Sequence, residues 1–293
     1  MSSFIKHLKT KNTGINKKTP FIKHRYYTKG KVIAIGDLHG DWNATVNTLI
    51  KAGVIKKNKN SKFTWSGGNN YIVQVGDQVD GKTRSENDFN EDGELKIINF
   101  LNFLDKKASK KGGRVLSILG NHEIMNTQGN FNYSSSSNIK NFGGELERLK
   151  AFTPGGWLAK ELAKTRFSVL IVNDILFVHG GISEKTLNMF DSISEINYLV
   201  ENYLLGNIDP NQNNKLRYLL EDQEGIFWDR SLSGDDVNLG IIKSILDKYK
   251  VKKICVGHTP QESVNSIANG AVWRIDVGLS RAFGNNPIQF KIF

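Results

Sequence analysis

Five short apolar runs in this sequence each end on a glycine beside Asp, Asn or His. Val32–Ile35 leads into Gly36-Asp37-Leu38-His39-Gly40, and residues 71–75 lead into Gly76-Asp77, with Asp80 three positions on. Residues 115–119 lead into Gly120-Asn121-His122-Glu123, 176–178 into His179-Gly180-Gly181, and 254–256 into Gly257-His258. Four of the six histidines stand at these ends. A lone Gly-Asp reads as a turn cap, and a lone histidine as a packed or surface residue. Repetition changes the reading, because the carboxyl ends of parallel strands are where an α/β sheet gathers its chemistry. Carboxylate, amide and imidazole donors without thiolate suit Mn, Fe or Zn rather than a Cys-rich structural zinc site. A converging metal cluster is the expectation.

The elements that must hold these ends are legible from periodicity. Tyr71, Ile72, Val73 and Val75 form a β-branched apolar run that fits a buried strand. Residues 42–52 read as a helix closed by Gly53. Leu95, Ile98, Leu101 and Leu104 recur at helical spacing across 94–111, and 114–119 follows as a strand, giving a β–α–β unit around Asp77 and Asn121. Phe63–Trp65 and residues 71–75 flank Gly67-Gly68-Asn69-Asn70, which reads as a hairpin. Residues 127–144, rich in Asn, Ser and Gly and without periodicity, read as a long loop at the rim of the site. Glu145–Phe152 and Trp157–Thr165 read as short helices, and 167–172 pairs with Ile175–Val178 across Asn173-Asp174. Residues 195–205, 215–222 and 236–249 read as helices, 271–277 as a strand after the Asn269-Gly270 turn, and 288–293 as an edge strand.

With 293 residues, 39% hydrophobic and 24% charged, the chain has the composition of an ordinary soluble globular protein. No apolar run approaches the ~18 residues of a membrane span, and no signal-peptide core is present. The single cysteine, Cys255, excludes an intrachain disulfide and lies inside an apolar run, where it reads as a small core residue. A cytoplasmic, reducing location is the expectation. The net charge of +11 is uneven, because residues 1–30 hold seven Lys, one Arg and no acid. They read as a basic, flexible N-terminal arm ahead of one catalytic domain, 31–293. Two readings of the arm stand side by side: weak contact with a polyanion such as nucleic acid or lipid, or a solvated tail.

In order, GDLHG, GDQVD, GNHE, HGG and GHTP resemble the motifs of the metallophosphoesterases. GNHEIMN, LFVHGGIS, IFWDR, VGHTPQ and IDVGLSRAFG resemble the bacterial-type, Shewanella-like branch of the phosphoprotein phosphatases. The resemblance spans roughly residues 31–284. It implies a mixed α/β fold, the four-layer α/β/β/α sandwich of calcineurin-like enzymes. It also implies two metal ions, one held by Asp37, His39 and Asp77, the other by Asp77, Asn121, His179 and His258, with Asp77 bridging. Such a pair can ionise a shared water and neutralise phosphoryl charge. By the same resemblance His122 is the general acid and Asp80 its orienting partner, while Arg230 and Asn121 contact phosphate.

One motif departs from the family pattern. The family reads Asp-Arg-Gly where this chain reads Asp80-Gly81-Lys82-Thr83-Arg84, so either another cation reaches in, with Arg84 expected ahead of Lys82, or phosphate is held less firmly. The implied activity is hydrolysis of phosphomonoesters on Ser/Thr or Tyr of a phosphorylated protein or peptide. The nearest alternative is a nucleotide hydrolase resembling a dinucleoside tetraphosphatase. A third is a basic nucleic-acid-binding module with a vestigial metal site, against which the intact ligand set speaks.

Overall fold

The computed structural model describes residues 24–60, 62–84, 90–284 and 286–293. In chain order its strands are β1 (Arg25–Tyr26), β2 (Val32–Ile35), β3 (Ile55–Lys57), β4 (Phe63–Trp65), β5 (Tyr71–Gln74), β6 (Arg114–Ile118) and β7 (Arg166–Phe167). There follow β8 (Val169–Val172), β9 (Ile175–Val178), β10 (Lys253–Val256), β11 (Asn265–Ile267), β12 (Val272–Arg274) and β13 (Lys291–Ile292). Helices are α1 (Trp42–Lys51), α2 (Glu94–Ala108), α3 (Asn121–Thr127), α4 (Ser136–Asn141), α5 (Glu145–Phe152) and α6 (Trp157–Thr165). The last four are α7 (Glu184–Met189), α8 (Ile193–Leu204), α9 (Asn214–Glu221) and α10 (Leu239–Tyr249).

Two sheets are stacked. One has the order β13-β2-β5-β6-β7, the other β1-β8-β9-β10-β12-β11. The alternation of side chains along each strand assigns each residue to a layer. Val32, Ala34, Val73, Val75, Leu116 and Ile118 point inward and meet Leu170, Val172, Ile175, Phe177 and Cys255 of the second sheet. Ile33, Ile35, Ile72 and Val115 point outward and are covered by Leu49 of α1 and Ile97, Leu101 and Leu104 of α2. Val169, Ile171, Leu176 and Val178 carry the opposite helical layer, including Phe152, Leu162 and Val200. The result is the mixed α/β, four-layer arrangement expected above.

β2, β5 and β6 run parallel in one sheet, and β9 and β10 run parallel in the other. Their carboxyl ends open at one edge of the stack, and this edge receives all five motif ends.

Some sequence expectations are corrected. Phe63–Trp65 does not form a hairpin with the run after it: β4 pairs antiparallel with β3, and β5 is flanked on both edges by β2 and β6. A strand with two parallel neighbours has no free edge, and the Trp65 indole instead donates to the Gly68 carbonyl. The stretch 127–144 is not all loop, because α4 forms inside it, capped by Ser135 Oγ on the Asn138 amide. Its polar composition left no apolar stripe to announce it. Strand 271–277 is shorter, with β12 ending at Arg274 and pairing with an unforeseen β11.

The boundary drawn at residue 30 also shifts. Arg25 and Tyr26 pair with Ile171 and Val172 of β8, so residues from His24 onward belong to the folded body. The arm reading otherwise falls on residues 1–23, which lie outside the described residues. Among the described residues no helix is long and apolar enough to cross a membrane.

Candidate active site

Close approach of the strand ends is set by glycine. A Cβ at Gly120 would collide with the Asp77 carboxylate and amide, and one at Gly257 would collide with Asp37 Oδ1. Glycine alone therefore lets two strand ends share this space. The functional side chains themselves sit on strained backbone: His39, Asp77, Asp80 and His258 have φ of 40°, 50°, 68° and 67°. Left-handed non-glycine residues cost free energy and persist where the surrounding structure holds them.

Asp77 lies at the centre. Its Oδ2 is 3.3 Å from His179 Nε2, 3.8 Å from His39 Nε2 and 4.0 Å from His122 Nε2, while Oδ1 accepts from the His122 amide. Two triplets, His39-Asp77-His122 and Asp77-His179-His258, each place their donor atoms within 4.8 Å of one another. Asn121 Oδ1 stands 2.9 Å from His179 Nε2 and 3.0 Å from His258 Nδ1. The carbonyls of Val75 and Val79 lie 2.8 and 3.2 Å from Nδ1 of His179 and His39. A ring that donates Nδ1–H to such a carbonyl presents a bare Nε2 to the centre.

Electrostatics follow from burial. Burial, then the charges of Asp276 and Asp77, push the Asp37 carboxyl well above the usual range. Burial would also raise Asp77, but His179, His122 and His39 outweigh it and hold that carboxyl well below its ordinary value. His258 is pushed down to about 3 by burial and by His179, and burial holds His39 well below its usual value. Both shifts favour the neutral ring that metal ligation requires. His179 moves up, because Asp77 overrides its burial.

His122 is placed differently from the other three rings. Its Nδ1 is 2.7 Å from Asp80 Oδ2, and Asp80 is fully buried. Burial opposes the charge on Asp80, yet His122, Ser134 and Arg148 hold its carboxyl below the ordinary value. Tyr133 packs edge-on against His122, and Phe283 packs tilted against His39, so aromatic rings wall the mouth.

A model of the calcineurin-like phosphoesterase family matches residues 30–262. The chain belongs to the calcineurin-like phosphoesterases. Over 92% of its length it is 33% identical to Shewanella-like protein phosphatase 1 of Plasmodium berghei, covering 74% of that protein. Over 89% it is 27% identical to Shewanella-like protein phosphatase 2 of Arabidopsis thaliana, again covering 74%. The fold is shared with a cold-active protein-tyrosine phosphatase of a psychrophilic Shewanella species. That match has TM-score 0.77 and 22% identity, over 93% of this chain and 77% of the other. This calcineurin-like phosphoesterase is thus a metal-dependent hydrolase similar to the Shewanella-like phosphatases.

The donor set fits divalent metal. Asp37 Oδ1 and His258 Nε2 are buried and have no hydrogen-bond partner among the described residues. Asp37, Asp77 and Asp276 bring three carboxyls into one buried region, where cations would relieve their repulsion. The triplet that holds His39 and Asp77 takes in His122, whereas Asp37 lies outside both triplets.

The two arginines singled out in the sequence both reach this region of the calcineurin-like phosphoesterase. Arg230 is exposed and donates to Thr259 Oγ1 at 2.7 Å, beside His258. Arg84 folds back, with its guanidinium 5.0 Å from the Tyr133 ring and 4.8 Å from that of Phe283. Lys82 is exposed and donates to the Asn132 carbonyl.

Several partners escaped the sequence reading. Glu123 accepts from the amides of Asp77, Gln78, Val79 and Gly120, and burial beside Asp77 lifts its carboxyl to about 7. Asn126 donates to Asp80 Oδ2. Both lie within GNHEIMN and were open to notice. Arg148, Glu94 and Ser134 carry no signal of their own, since charged residues on a short helix or in a polar loop read as solvated.

Proposed function

We propose that this phosphoesterase is a phosphoprotein phosphatase that would work with two metal ions and uses His122 as general acid. Asp37, His39 and Asp77 would hold one ion, and Asp77, Asn121, His179 and His258 the other. The ions, when bound, supply Lewis acidity that activates water and neutralises phosphoryl charge. The observation carrying the reading is the His122–Asp80 pair, 2.7 Å from Nδ1 to Oδ2, with Nε2 turned toward the Asp77 carboxylate.

The protein's own groups divide the work. Arg230 and Arg84 stand at the mouth and bind the phosphoryl oxygens, which a guanidinium can grip with two parallel bonds. As water oxygen bonds to phosphorus and the ester P–O bond breaks, His122 Nε2 gives its proton to the departing alkoxide. Asp80 holds the ring for that transfer. Similarity to named protein phosphatases supports a phosphorylated protein or peptide as substrate.

The test is turnover of metal-stripped and Mn-loaded protein on phosphoserine, phosphothreonine and phosphotyrosine peptides and on dinucleoside polyphosphates. Chelation should abolish activity, Mn should restore it, and the phosphopeptides should be the better substrates. Asp77→Asn should lose most of the turnover. Full activity without metal, or preference for the dinucleoside polyphosphates, overturns the reading.

A further inference from the structure

Asp80 has two oxygens, and only one of them faces His122. The other is engaged by a buried system that the reaction does not require at first sight. Ser134 Oγ lies 2.5 Å from Asp80 Oδ1, and Arg148 Nη2 lies 3.3 Å from it. Arg148 is fully buried, an unusual place for a guanidinium, between the rings of Phe131, Phe142 and Phe152. Its Nη1 donates to Glu94 Oε2 at 2.6 Å and its Nη2 to Glu94 Oε1 at 3.2 Å, a two-pronged grip. Its Nε donates to Asn126 Oδ1 at 2.8 Å, and Asn126 Nδ2 donates to Asp80 Oδ2 at 3.0 Å.

Glu94 closes the ring from below. Its Oε1 accepts the Asp80 amide at 2.6 Å, so it fixes the main chain of a residue whose φ is 68°. One arginine thus reaches Asp80 three ways: directly at Oδ1, through Asn126 at Oδ2, and through Glu94 at the backbone. The partners come from α2, α3, α5 and the stretch before α4. A buried ion pair is a weak source of stability by itself, since desolvation offsets its attraction. What it does supply is orientation, because a planar five-donor fork in an aromatic cage has one pose.

We propose that Arg148, with Glu94 and Asn126, is a positioning residue for the general acid. It locks the Asp80 carboxylate so that Oδ2 meets His122 Nδ1 and aims Nε2 at the leaving oxygen. This rests on the reading of His122 as the acid, and the experiment separates the two. Displacing a catalytic group by about 1 Å costs about 100-fold in rate. The loss should appear only where the leaving group needs a proton.

The test compares kcat and KM of Mn-loaded wild type, Arg148→Met, Arg148→Lys and His122→Asn on an alkyl phosphate and on 2,4-dinitrophenyl phosphate, whose phenolate leaves unprotonated. Arg148→Met and Arg148→Lys should lower kcat on the alkyl phosphate by about ten- to a hundredfold and leave 2,4-dinitrophenyl phosphate within about twofold, with KM steady. If His122→Asn reduces both substrates equally, the acid reading fails. If His122→Asn discriminates between them while folded, metal-loaded Arg148→Met loses both equally or neither, the positioning role alone is overturned. Should Arg148→Met not fold, Arg148→Lys decides, since it keeps the buried positive charge while losing the planar fork. A severalfold loss confined to the alkyl phosphate upholds the proposal; a uniform loss, or none, overturns it.

Discussion

Arg84 lies four residues past Asp80, between the rings of Tyr133 and Phe283, and its Nη1 donates to the carbonyls of Asp80 and Lys82. Its Nη2 is buried without a hydrogen-bond partner among the described residues. Burial lowers its pKa, and Asp80, Asp77 and Asp276 oppose that shift, so the guanidinium sits within the field of the acids at the centre. On the proposed reading, the Nη2 prong binds a phosphoryl oxygen. Arg84→Ala should lower kcat/KM on a phosphopeptide by about ten- to a hundredfold, the worth of a charged hydrogen bond of about 1.5–3 kcal/mol. Lys82→Ala should change it by less than about twofold, because that side chain is exposed and turned to Asn132. Arg230→Ala should cost at least as much as Arg84→Ala. A larger effect at Lys82 than at Arg84 would put the compensating cation on the wrong side chain.

The turn after β5 shows how one element holds another in a costly shape. Asp77 and Asp80 both adopt left-handed backbone, and the amides of Asp77, Gln78 and Val79 all point at the carboxylate of Glu123 on α3. The same carboxylate takes the Gly120 amide at 2.7 Å, so α3 and the turn are fastened together. Glu123→Ala would strand four buried N–H groups. The expected loss is about 3 kcal/mol or more, read as a fall in Tm of about 6–12 °C, together with weaker Mn binding. Glu123→Gln keeps one acceptor oxygen and should be milder on both measures. A Glu123→Ala protein that melts within a degree of wild type and binds Mn normally would show that the turn holds itself.

Across the whole molecule, residues 24–30 tie the two sheets together. The Ile171 amide donates to the His24 carbonyl and Arg25 Nη2 to the Tyr249 carbonyl. Thr28 donates from its amide to Asn173 Oδ1 and from its hydroxyl to the Asn69 carbonyl, one on each side of the stack. A chain beginning at His24 should therefore keep wild-type turnover on a small aryl phosphate. One beginning at Lys29 should lose about 2–4 kcal/mol of stability, seen as a Tm lower by about 4–16 °C, because β1 and these ties are gone. Equal Tm for the two truncations would make β1 an ornament of the fold. If residues 1–23 bind polyanions, only the full chain should do so, with affinity falling steeply as salt rises.

The primary sequence by itself determined the strands that carry the donors and the order of those donors. A glycine after a β-branched run, followed by Asp, Asn or His, is a local pattern, and the run between needs only local periodicity to be read as a crossover. Strand geometry puts Val32 and Ala34 on one face and Ile33 and Ile35 on the other. With all four apolar, only folding decided which face met the second sheet and which met the helices. Folding alone decided which edges pair, because β5 took β2 and β6 as neighbours and left β4 to β3. Folding alone also brought Arg148, Glu94, Asn126 and Ser134 onto Asp80 from 14 to 68 residues away. A buried arginine on a short amphipathic helix has the same local sequence as an exposed one. Only the side chains that surround it in three dimensions, three phenylalanine rings and a carboxylate, tell the two apart.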